Sequence, residues 1–319
     1  MTAPGPPASG SPGRGVPERR SSPGGNVVAG SLAAIGFHQA PSVALVETVR
    51  PGRRALDAVL SQNAWNFVAR SEFAALSRPY APRRRGLYRA RRAVATLNTR
   101  RARTNVVLSD YMATLLADRG LDPVVAPVTL PLDLCDDAPP PMRAPAGLDR
   151  PFVLVPGTLT PYKNADYALD LLRRLPPESR PLLVLAGTDD GSGQQQRIET
   201  RLAADGLRHW LGPVSREEMS WLLAHADATI VPSRLESLSF SVAEALVLSP
   251  RVLASPLPVH REVAGRLGRE PEWLPPAPDD ETARLLLEPV PAVPAIDRAS
   301  YRQEWHDLAA LLTSRSEGR

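Results

Sequence analysis

The sequence predicts an α/β protein of two domains, the second of which is built on a doubly wound parallel sheet. From Phe152 onward, short apolar segments alternate with amphipathic ones at the spacing of strand, crossover helix and strand. A proline-dense stretch without periodicity precedes this region. The halves also differ in charge, since residues 1–130 hold 18 arginines against 7 acidic residues and residues 131–319 hold 20 basic against 27 acidic ones. Such an asymmetry indicates two domains with different partners.

These observations divide the chain into five segments. Residues 1–25 are rich in proline, glycine and serine and have no continuous apolar stretch, which predicts a disordered leader rather than a signal peptide. An N-terminal domain is expected at 26–135 and a linker at 136–150. A C-terminal domain is expected at 151–290, followed by a helix-bearing segment at 291–319.

The composition is that of a soluble globular protein, with 43% hydrophobic and 23% charged residues. The sequence has no apolar run of about 18 residues, so we expect no membrane-spanning segment. Cys135 is the only cysteine, which excludes an internal disulfide and a multi-cysteine metal site. A reducing, cytoplasmic location is therefore expected.

The basic residues are concentrated in one region. Fourteen arginines lie between Arg50 and Arg103, against the two acidic residues Asp57 and Glu72. This pattern is compatible with an anionic membrane surface, with a phosphorylated substrate, or with an ordinary solvated face. Because no nucleic-acid recognition motif accompanies it, we expect no nucleic-acid partner.

The N-terminal half contains weaker secondary-structure signals than the C-terminal half. Apolar runs and helical spacing predict strands at Asn26–Ile35, Ser42–Thr48, Ala58–Phe67, Asn105–Leu108 and Val124–Leu130, and helices at Arg84–Ala102 and, capped by Ser109, at Asp110–Arg119.

In the C-terminal half the alternation is regular. It predicts strands at Phe152–Val155, Leu182–Ala186, around Trp210, and at Ala228–Val231 and Arg251–Ala254, and helices at Ala165–Leu175, Gln194–Ala204, Arg216–His225, Ser241–Leu248 and Ser300–Leu312.

Two loops after predicted strands carry the polar residues of a candidate site, because ligands of doubly wound sheets bind beyond the carboxyl ends of the strands. In the first loop, Gly157 allows close approach of the backbone to a phosphate, and Asn164 is expected to cap the next helix. Lys163 supplies a positive charge and is the only lysine in the sequence. Its retention among 37 arginines indicates a need for an ammonium group, although chance survival explains it equally well.

In the second loop, Glu236 follows a strand and Glu244 lies one turn into the next helix, where we expect it to face the same pocket. The amides of Leu238–Phe240 lie at the helix N-terminus, which favours an anion. Carboxylates beside an anion site suit a sugar nucleotide. A capped surface helix with two solvated glutamates is the plainer alternative.

Five collinear motifs between Phe152 and Gly265 resemble the donor domain of the retaining group 1 (family four) glycosyltransferases. They read PGTLTPYKN, LLVLAGTDDG, WLGPVSREEM, HADATIVPSRLESLSFSVAEAL and VLASPLPVHREVAG. The Glu-x7-Glu element from Glu236 to Glu244 is the signature of that family. The resemblance implies a GT-B fold, in which two Rossmann-like doubly wound domains face each other across a cleft.

The resemblance also implies roles for individual residues. Lys163 would neutralise the donor diphosphate above Gly157, Glu236 would meet the donor sugar, and Glu244 would hold the ribose. The remaining donor-binding positions implied are Thr158, Leu211, Val214, Ser237, Leu238, Ser239 and Phe240. Transfer with retention and without a divalent metal is implied, so we expect no metal and no cofactor, with the nucleotide sugar as co-substrate and an unidentified hydroxyl compound as acceptor.

This sequence departs from the family pattern in several places. Thr158 stands where the family has an arginine, and Ser237, Ser239 and Ser249 replace glycines. The N-terminal domain is shortened, and the glycine-rich first loop of the family has no counterpart. The histidine that the family usually has in its N-terminal domain is also missing from this sequence. We therefore expect Gln62, Asn63 or His38 to take its place on the acceptor side.

These departures leave two hypotheses. The first is an active transferase acting on a natural product, lipid or polysaccharide, located in the cytoplasm and peripherally on the inner membrane face. The second is a degenerate protein that binds a nucleotide sugar or a partner subunit without turnover. An epimerase of the same fold is disfavoured by the Glu-x7-Glu element.

Overall fold

The structure is a computed structural model that describes residues 27–40, 42–46, 48, 56–136, 138–148, 150–207 and 209–317. The predicted leader lies outside these residues. The N-terminal elements are α1 (Val27–Ala34), β1 (Val43–Ala44), β2 (Ala58–Ser61), α2 (Arg70–Ser77), α3 (Pro82–Arg101), β3 (Thr104–Val107), α4 (Asp110–Ala117) and β4 (Pro123–Val125). The C-terminal elements are β5 (Phe152–Pro156), α5 (Asp166–Arg173), β6 (Leu182–Ala186), α6 (Gln194–Asp205), β7 (His209–Gly212), α7 (Arg216–His225), β8 (Ala228–Val231), α8 (Phe240–Leu248), β9 (Val252–Ala254), α9 (Pro258–Leu267), β10 (Glu272–Trp273), α10 (Asp280–Leu285) and α11 (Arg302–Glu317).

The C-terminal sheet has six parallel strands in the order β10-β9-β8-β5-β6-β7. Every residue of β5, β8 and β9 is buried. Alternate residues of β5 belong to different apolar clusters, Phe152 and Leu154 to one and Val153 and Val155 to the other. Because each face of the sheet is covered, these strands read as continuous apolar runs, and the predicted doubly wound sheet is confirmed.

The N-terminal sheet is smaller, with four parallel strands in the order β1-β2-β3-β4. Its strands have two to four residues, so the predicted strands at Ser42–Thr48, Ala58–Phe67 and Val124–Leu130 were too long. Helices α3 and α4 confirm the prediction, and the Ser109 side chain accepts the Met112 amide as expected of a cap.

The predicted strand at Asn26–Ile35 is wrong, because residues 27–34 form helix α1. Val28 and Leu32, four residues apart, are buried, whereas Val27 is 53% exposed. This is the burial pattern of one helical face. A short apolar run has the same composition in a buried strand and in a buried helix, so the sequence pattern alone does not separate the two.

Helix α11 returns to the N-terminal domain. Trp305 is fully buried and its Nε1 donates to the Leu130 carbonyl at 2.9 Å. Leu308 and Leu312 join Trp305 in an apolar cluster that also contains Val28 and Leu32 of α1. One core therefore runs through both domains. Within the described ranges, no helix is both long and apolar enough to cross a membrane.

Candidate active site

The candidate site lies where β5 and β8 end. These two strands are parallel neighbours, so the loops that follow them meet at one edge of the sheet. The Asn164 Nδ2 donates to the Pro232 carbonyl at 3.1 Å and the Arg234 amide donates to the Tyr162 carbonyl at 2.8 Å. The two loops are thus tied to each other by hydrogen bonds.

Asn164 does not cap helix α5, contrary to the prediction. It adopts the left-handed conformation with φ 58°, and its side chain points to the second loop instead. The residue before α5 is Ala165, which forms no side-chain cap. The left-handed turn instead ends the short 3₁₀ helix Pro161–Lys163, whose last residue is the lysine of the site.

Gly157 has φ +107°, a conformation that side-chain-bearing residues rarely adopt. A Cβ atom at this position would lie 3.8 Å from Lys163 Nζ and 3.9 Å from Ser241 Oγ. The backbone after β5 therefore passes close to both the ammonium group and the start of α8. A larger residue would strain the turn and fill this space.

Lys163 and Glu236 form a partly buried ion pair. The Nζ atom lies 2.6 Å from Glu236 Oε1, and the two side chains are 17% and 11% exposed. Ser233 Oγ donates to the same oxygen at 2.6 Å. Burial is the largest single influence and works against both charges. For Lys163 the charge and hydrogen bond of Glu236, together with Tyr162 and Glu244, exceed it, so the pKa of Lys163 is raised.

The same balance holds for the carboxylate. Burial opposes ionisation, but the Lys163 ammonium, with weaker help from its hydrogen bonds, lowers the pKa of Glu236. Both groups are therefore charged at neutral pH. A fixed positive charge and a fixed acceptor stand side by side at the sheet edge.

The N-terminus of α8 completes this side of the site. Ser239 precedes the helix in the left-handed conformation with φ 57° and provides no side-chain cap. Its buried hydroxyl has no hydrogen-bond partner among the described residues. Backbone amides in the first turn of a helix have no intrahelical partner, and together with the helix dipole they favour an anion.

A cavity of about 470 Å³ opens in front of these groups, and both domains line it. This volume lies within the range of small-molecule sites, roughly 300–1,000 Å³. The lining residues are Val27, Val28, Val46, Thr48, Ser61, Gln62, Asn63, Leu108, Met112, Tyr162, Lys163, Glu236, Ser237, Leu238, Ser239, Phe240 and Ser241.

Glu244 lines an adjoining cavity of about 750 Å³ rather than the one that Glu236 lines. The two cavities share Val27, Phe240 and Ser241 as walls. The Glu244 Oε1 atom lies 2.6 Å from Arg216 Nη1, and Arg216 also binds Asp133. Burial raises the pKa of Glu244 although Arg216 acts in the opposite direction.

The other predicted site residues are distributed unevenly. Gln62 and Asn63 line the first cavity, whereas His38 is exposed and is not among its lining residues. Thr158 and Val214 line neither cavity. Leu211 belongs to β7 by its backbone, and its side chain lies outside what the structure describes.

Ser237 binds the other domain. Its Oγ accepts the Ala64 amide at 2.7 Å, and its carbonyl accepts the Ser109 hydroxyl at 2.9 Å. Ser237 thus ties the second loop to the N-terminal domain.

Sequence reasoning missed two further contacts between the domains. The Glu262 carboxylate on α9 accepts the amides of Asp110 and Tyr111 at 2.9 and 3.1 Å, so it caps α4 from the opposite domain. The ring of Tyr162, beside Lys163, lies 5.6 Å from that of Trp65. No local signal in the sequence announces either contact, because each joins positions far apart along the chain.

His260 is a buried group beside this region. It is fully buried, its Nδ1 lies 2.7 Å from the Ser255 carbonyl, and its Nε2 has no partner among the described residues. Burial lowers the pKa of His260, against the opposing field of Glu236. The ring is therefore neutral at physiological pH.

Comparison with known proteins gives matches for both the sequence and the fold. Residues 142–283 match the family described as glycosyl transferases group 1. A stretch of 126 residues, 40% of this chain, is 31% identical to the MMP alpha-(1->4)-mannosyltransferase of Mycolicibacterium hassiacum and covers 28% of that protein. The chain therefore spans less than a third of the length of this curated relative.

Solved glycosyltransferase structures share the fold at low sequence identity. WaaG, a glycosyltransferase of lipopolysaccharide biosynthesis, is 17% identical with a TM-score of 0.57, over 91% of this chain and 79% of that one. A sucrose-phosphate synthase from Thermosynechococcus elongatus is 17% identical with a TM-score of 0.52, over 81% of this chain and 63% of that one. Residues 142–283 thus match the group 1 glycosyltransferase family, and the two parallel-sheet domains together have the GT-B fold of these solved structures.

Proposed function

We propose that the protein transfers a sugar from a nucleoside diphosphate donor to a hydroxyl group of an acceptor, with retention of anomeric configuration and without a divalent metal. The observation that carries the proposal is the Lys163–Glu236 pair, held 2.6 Å apart at the mouth of a cavity that both domains line. A cation and an acceptor fixed at one point suit a ligand with a phosphate next to a sugar.

The two adjoining cavities suit the two parts of such a donor. The diphosphate would lie over Gly157 and the first amides of α8, with Lys163 as its counter-ion. The sugar would then face Glu236, and the ribose would face Glu244 in the second cavity. Glu244 is already paired with Arg216, so the ribose hydroxyls would bind to a carboxylate whose position is fixed.

The chemistry required of the protein is mostly electrostatic. As the bond to the diphosphate breaks, negative charge develops on the leaving group, and Lys163 and the helix amides stabilise it without reorganisation. Because these cations and dipoles stand where a metal would act, no metal is invoked. Gln62 and Asn63, which line the same cavity from the N-terminal domain, would hold the acceptor hydroxyl on the departing face of the sugar.

A second candidate is a protein that binds the donor without turnover. It is favoured by the small N-terminal sheet, whose β1 has only two residues. This sheet forms the acceptor wall of the proposed enzyme. Binding and turnover therefore have to be measured separately.

Two measurements separate these functions. A thermal-shift series with UDP, GDP, ADP and dTDP at millimolar concentration tests binding, because a ligand that binds the folded state raises its stability by mass action. Slow release of free sugar from UDP-, GDP- and dTDP-linked sugars, including mannose because the matched relative is a mannosyltransferase, tests turnover without an acceptor. Release that persists in EDTA supports the metal-free mechanism.

The matched variants are Glu244→Gln and, as a control, Glu270→Gln at an exposed position. We expect Glu244→Gln to weaken nucleotide binding by about tenfold, the effect of losing one charged hydrogen bond. The control should leave the affinity unchanged. No shift with any nucleotide would overturn both candidates. A thermal shift without sugar release from any donor would exclude the transferase and support the second candidate, a protein that binds the donor without turnover.

A further inference from the structure

A second charged cavity lies on the N-terminal domain. It has a volume of about 590 Å³ and is lined by Arg70, Arg89, Arg92, Ala93, Thr96, Leu97, Arg100 and Arg119, which we call the arginine groove. Five of these eight residues are arginines, and none is acidic or aromatic. The groove shares no lining residue with the cavity that Lys163 and Glu236 line.

Helices α2 and α3 and the residue Arg119, which follows α4, build the arginine groove. The residues contributed by α3 recur every three to four positions from Arg89 to Arg100, so they form one face of that helix. Arg70 is the first residue of α2 and Arg119 follows α4, and these two face α3 across the cavity. The concentration of charge therefore arises from the packing of the helices.

Two of the arginines are held in place by the backbone. Arg92 donates to the Val68 carbonyl, and Arg119 donates to the carbonyls of Phe67 and Val68 at 2.9 and 2.8 Å. The Arg92 guanidinium also lies 5.1 Å from the centre of the Phe73 ring. Arg92 also donates to the Trp65 carbonyl at 3.4 Å. These bonds fix both side chains, and a ligand would bind the N–H groups that the backbone leaves free.

The positive charges repel one another. Burial first, and then the fields of Arg119 and Arg70, lower the pKa of Arg92 to about 10 although Glu72 acts in the opposite direction. Burial, Arg100 and Arg70 likewise lower the pKa of Arg119, against Asp118. An anion in the groove would relieve this repulsion.

We propose that the arginine groove is a binding site for a compact phosphate-dense anion, either a phosphomonoester lipid headgroup or a soluble phosphate compound. Guanidinium groups match phosphate oxygens in a bidentate manner, and five arginine side chains line this one cavity. A single-stranded nucleic acid fits less well, because the groove offers no aromatic side chain on which bases stack. Leu97 also lines the groove and is 43% exposed. It would offer an apolar contact to the acyl chain of a lipid whose headgroup occupies the groove.

The test compares two double variants of one helix. Arg89→Glu with Arg100→Glu changes two exposed residues of the groove, and Arg83→Glu with Arg91→Glu changes two exposed residues of α3 outside it. The total change in charge is the same. The cleft is intact in both, so any difference in binding between the pairs belongs to the groove, even if pyrophosphate also binds near Lys163.

Inorganic pyrophosphate is titrated calorimetrically at about 50 mM salt, where the Debye length still exceeds about 10 Å. We expect the groove pair to bind at least about tenfold more weakly than wild type and the control pair to change by less than about threefold, because Arg89 and Arg100 line the cavity whereas Arg83 and Arg91 do not. Alanine versions of the same pairs, with melting temperatures, separate a loss of binding from a loss of fold.

Sedimentation with phosphatidylcholine vesicles, with and without phosphatidic acid, distinguishes the two sources of phosphate. Binding that requires phosphatidic acid, is lost in the groove pair and is displaced by pyrophosphate assigns the groove to a lipid headgroup. Pyrophosphate binding without vesicle binding assigns it to a soluble compound. Equal losses in both pairs, or no binding of either probe, would overturn the proposal.

Discussion

The two domains complete their cores in different ways. One apolar cluster of the C-terminal domain draws all of its members from within residues 153–286. The cluster that contains Val28 and Leu60 of the N-terminal domain includes Trp305 and Leu308 from the far end of the described chain. One face of the C-terminal sheet is therefore covered entirely from within its own domain, whereas the N-terminal residues Val28 and Leu60 share a core with a helix near the far end of the chain. Trp305 of that helix binds Leu130, 175 residues earlier.

This difference places the two halves of the candidate site on unequal supports. Lys163 and Glu236 lie in the loops that follow β5 and β8, two strands whose residues are all buried in a six-stranded sheet. Gln62 and Asn63 follow β2 of the four-stranded sheet, and α11 packs against that strand. A rigid donor side and a more easily disturbed acceptor side are expected from this arrangement.

Trp305→Ala should have the largest effect. Deleting a fully buried tryptophan leaves a cavity and removes the donor to Leu130, and we expect a loss of about 4 kcal/mol in unfolding free energy. Hydrogen exchange should increase in β2 and β3 well before β5 and β8. Trp305→Phe, which keeps most of the volume, should cost about 1 kcal/mol. A uniform increase across both sheets would show that the two domains are equally dependent on α11.

The Lys163–Glu236 pair tests the donor side of the comparison. We expect Lys163→Met and Glu236→Gln each to lower turnover of an identified donor by about a hundredfold, equivalent to roughly 3 kcal/mol of transition-state stabilisation. Lys163→Met should also lower the unfolding free energy by about 3 kcal/mol, because it leaves the buried carboxylate without its partner.

The double variant separates the two effects. With both charges removed, Lys163→Met with Glu236→Gln should regain most of the lost stability while remaining inactive. Near-wild-type turnover in any of the three variants would mean that the pair is structural. Urea unfolding and donor hydrolysis measured on the same preparations provide the comparison.

Glu262→Gln tests how the domains are joined. Gln keeps one of the two oxygens that accept the Asp110 and Tyr111 amides and removes the charge at the start of α4. We expect a loss of about 1 kcal/mol in unfolding free energy, with faster exchange in α4. Glu270→Gln, at an exposed position, is the control. Identical unfolding of the two variants would remove Glu262 from the interdomain contact.

The smallest effect concerns His260. Its pKa in the folded protein is lowered, mainly by burial, from the ordinary value of about 6.5. The unfolded chain therefore binds more protons between those two pKa values, so stability is complete above about pH 6.5 and falls as the pH decreases through the window. His260→Phe should reduce the change in the urea midpoint between pH 7.5 and pH 5.5, roughly one unit on either side of the ordinary histidine pKa. His38→Gln, at an exposed position, should leave the pH dependence of the urea midpoint unchanged. If His260→Phe keeps the wild-type pH dependence, another group is responsible for it.

The sequence predicted the elements of the C-terminal domain more accurately than those of the N-terminal domain. Strands such as Leu182–Ala186 and Ala228–Val231 were predicted with correct bounds, because burial on both faces produces an unbroken apolar run. Residues 27–34 were assigned to the wrong element, since what makes α1 a helix is its packing against distant partners.

At the site, the sequence predicted the groups but not all of their neighbours. Spacing and family likeness placed Lys163 and Glu236 near each other, and the structure brings them into contact. Sequence could not show that Glu244 pairs with Arg216 or that Ser237 binds Ala64, because both are contacts between separate elements. The left-handed turn at Asn164 also escaped prediction, since the helix it precedes begins without a side-chain cap.

Lys163 has a consequence for spectroscopy, because it is the only lysine of the 319-residue sequence. Protein grown with lysine carrying carbon-13 at Cε would contain a single labelled methylene, adjacent to the ammonium that Glu236 holds. Its resonance needs no assignment by mutagenesis. Displacement of the carboxylate by a phosphate would change the environment of this one signal, so the occupancy of the cleft can be followed in solution at a single atom.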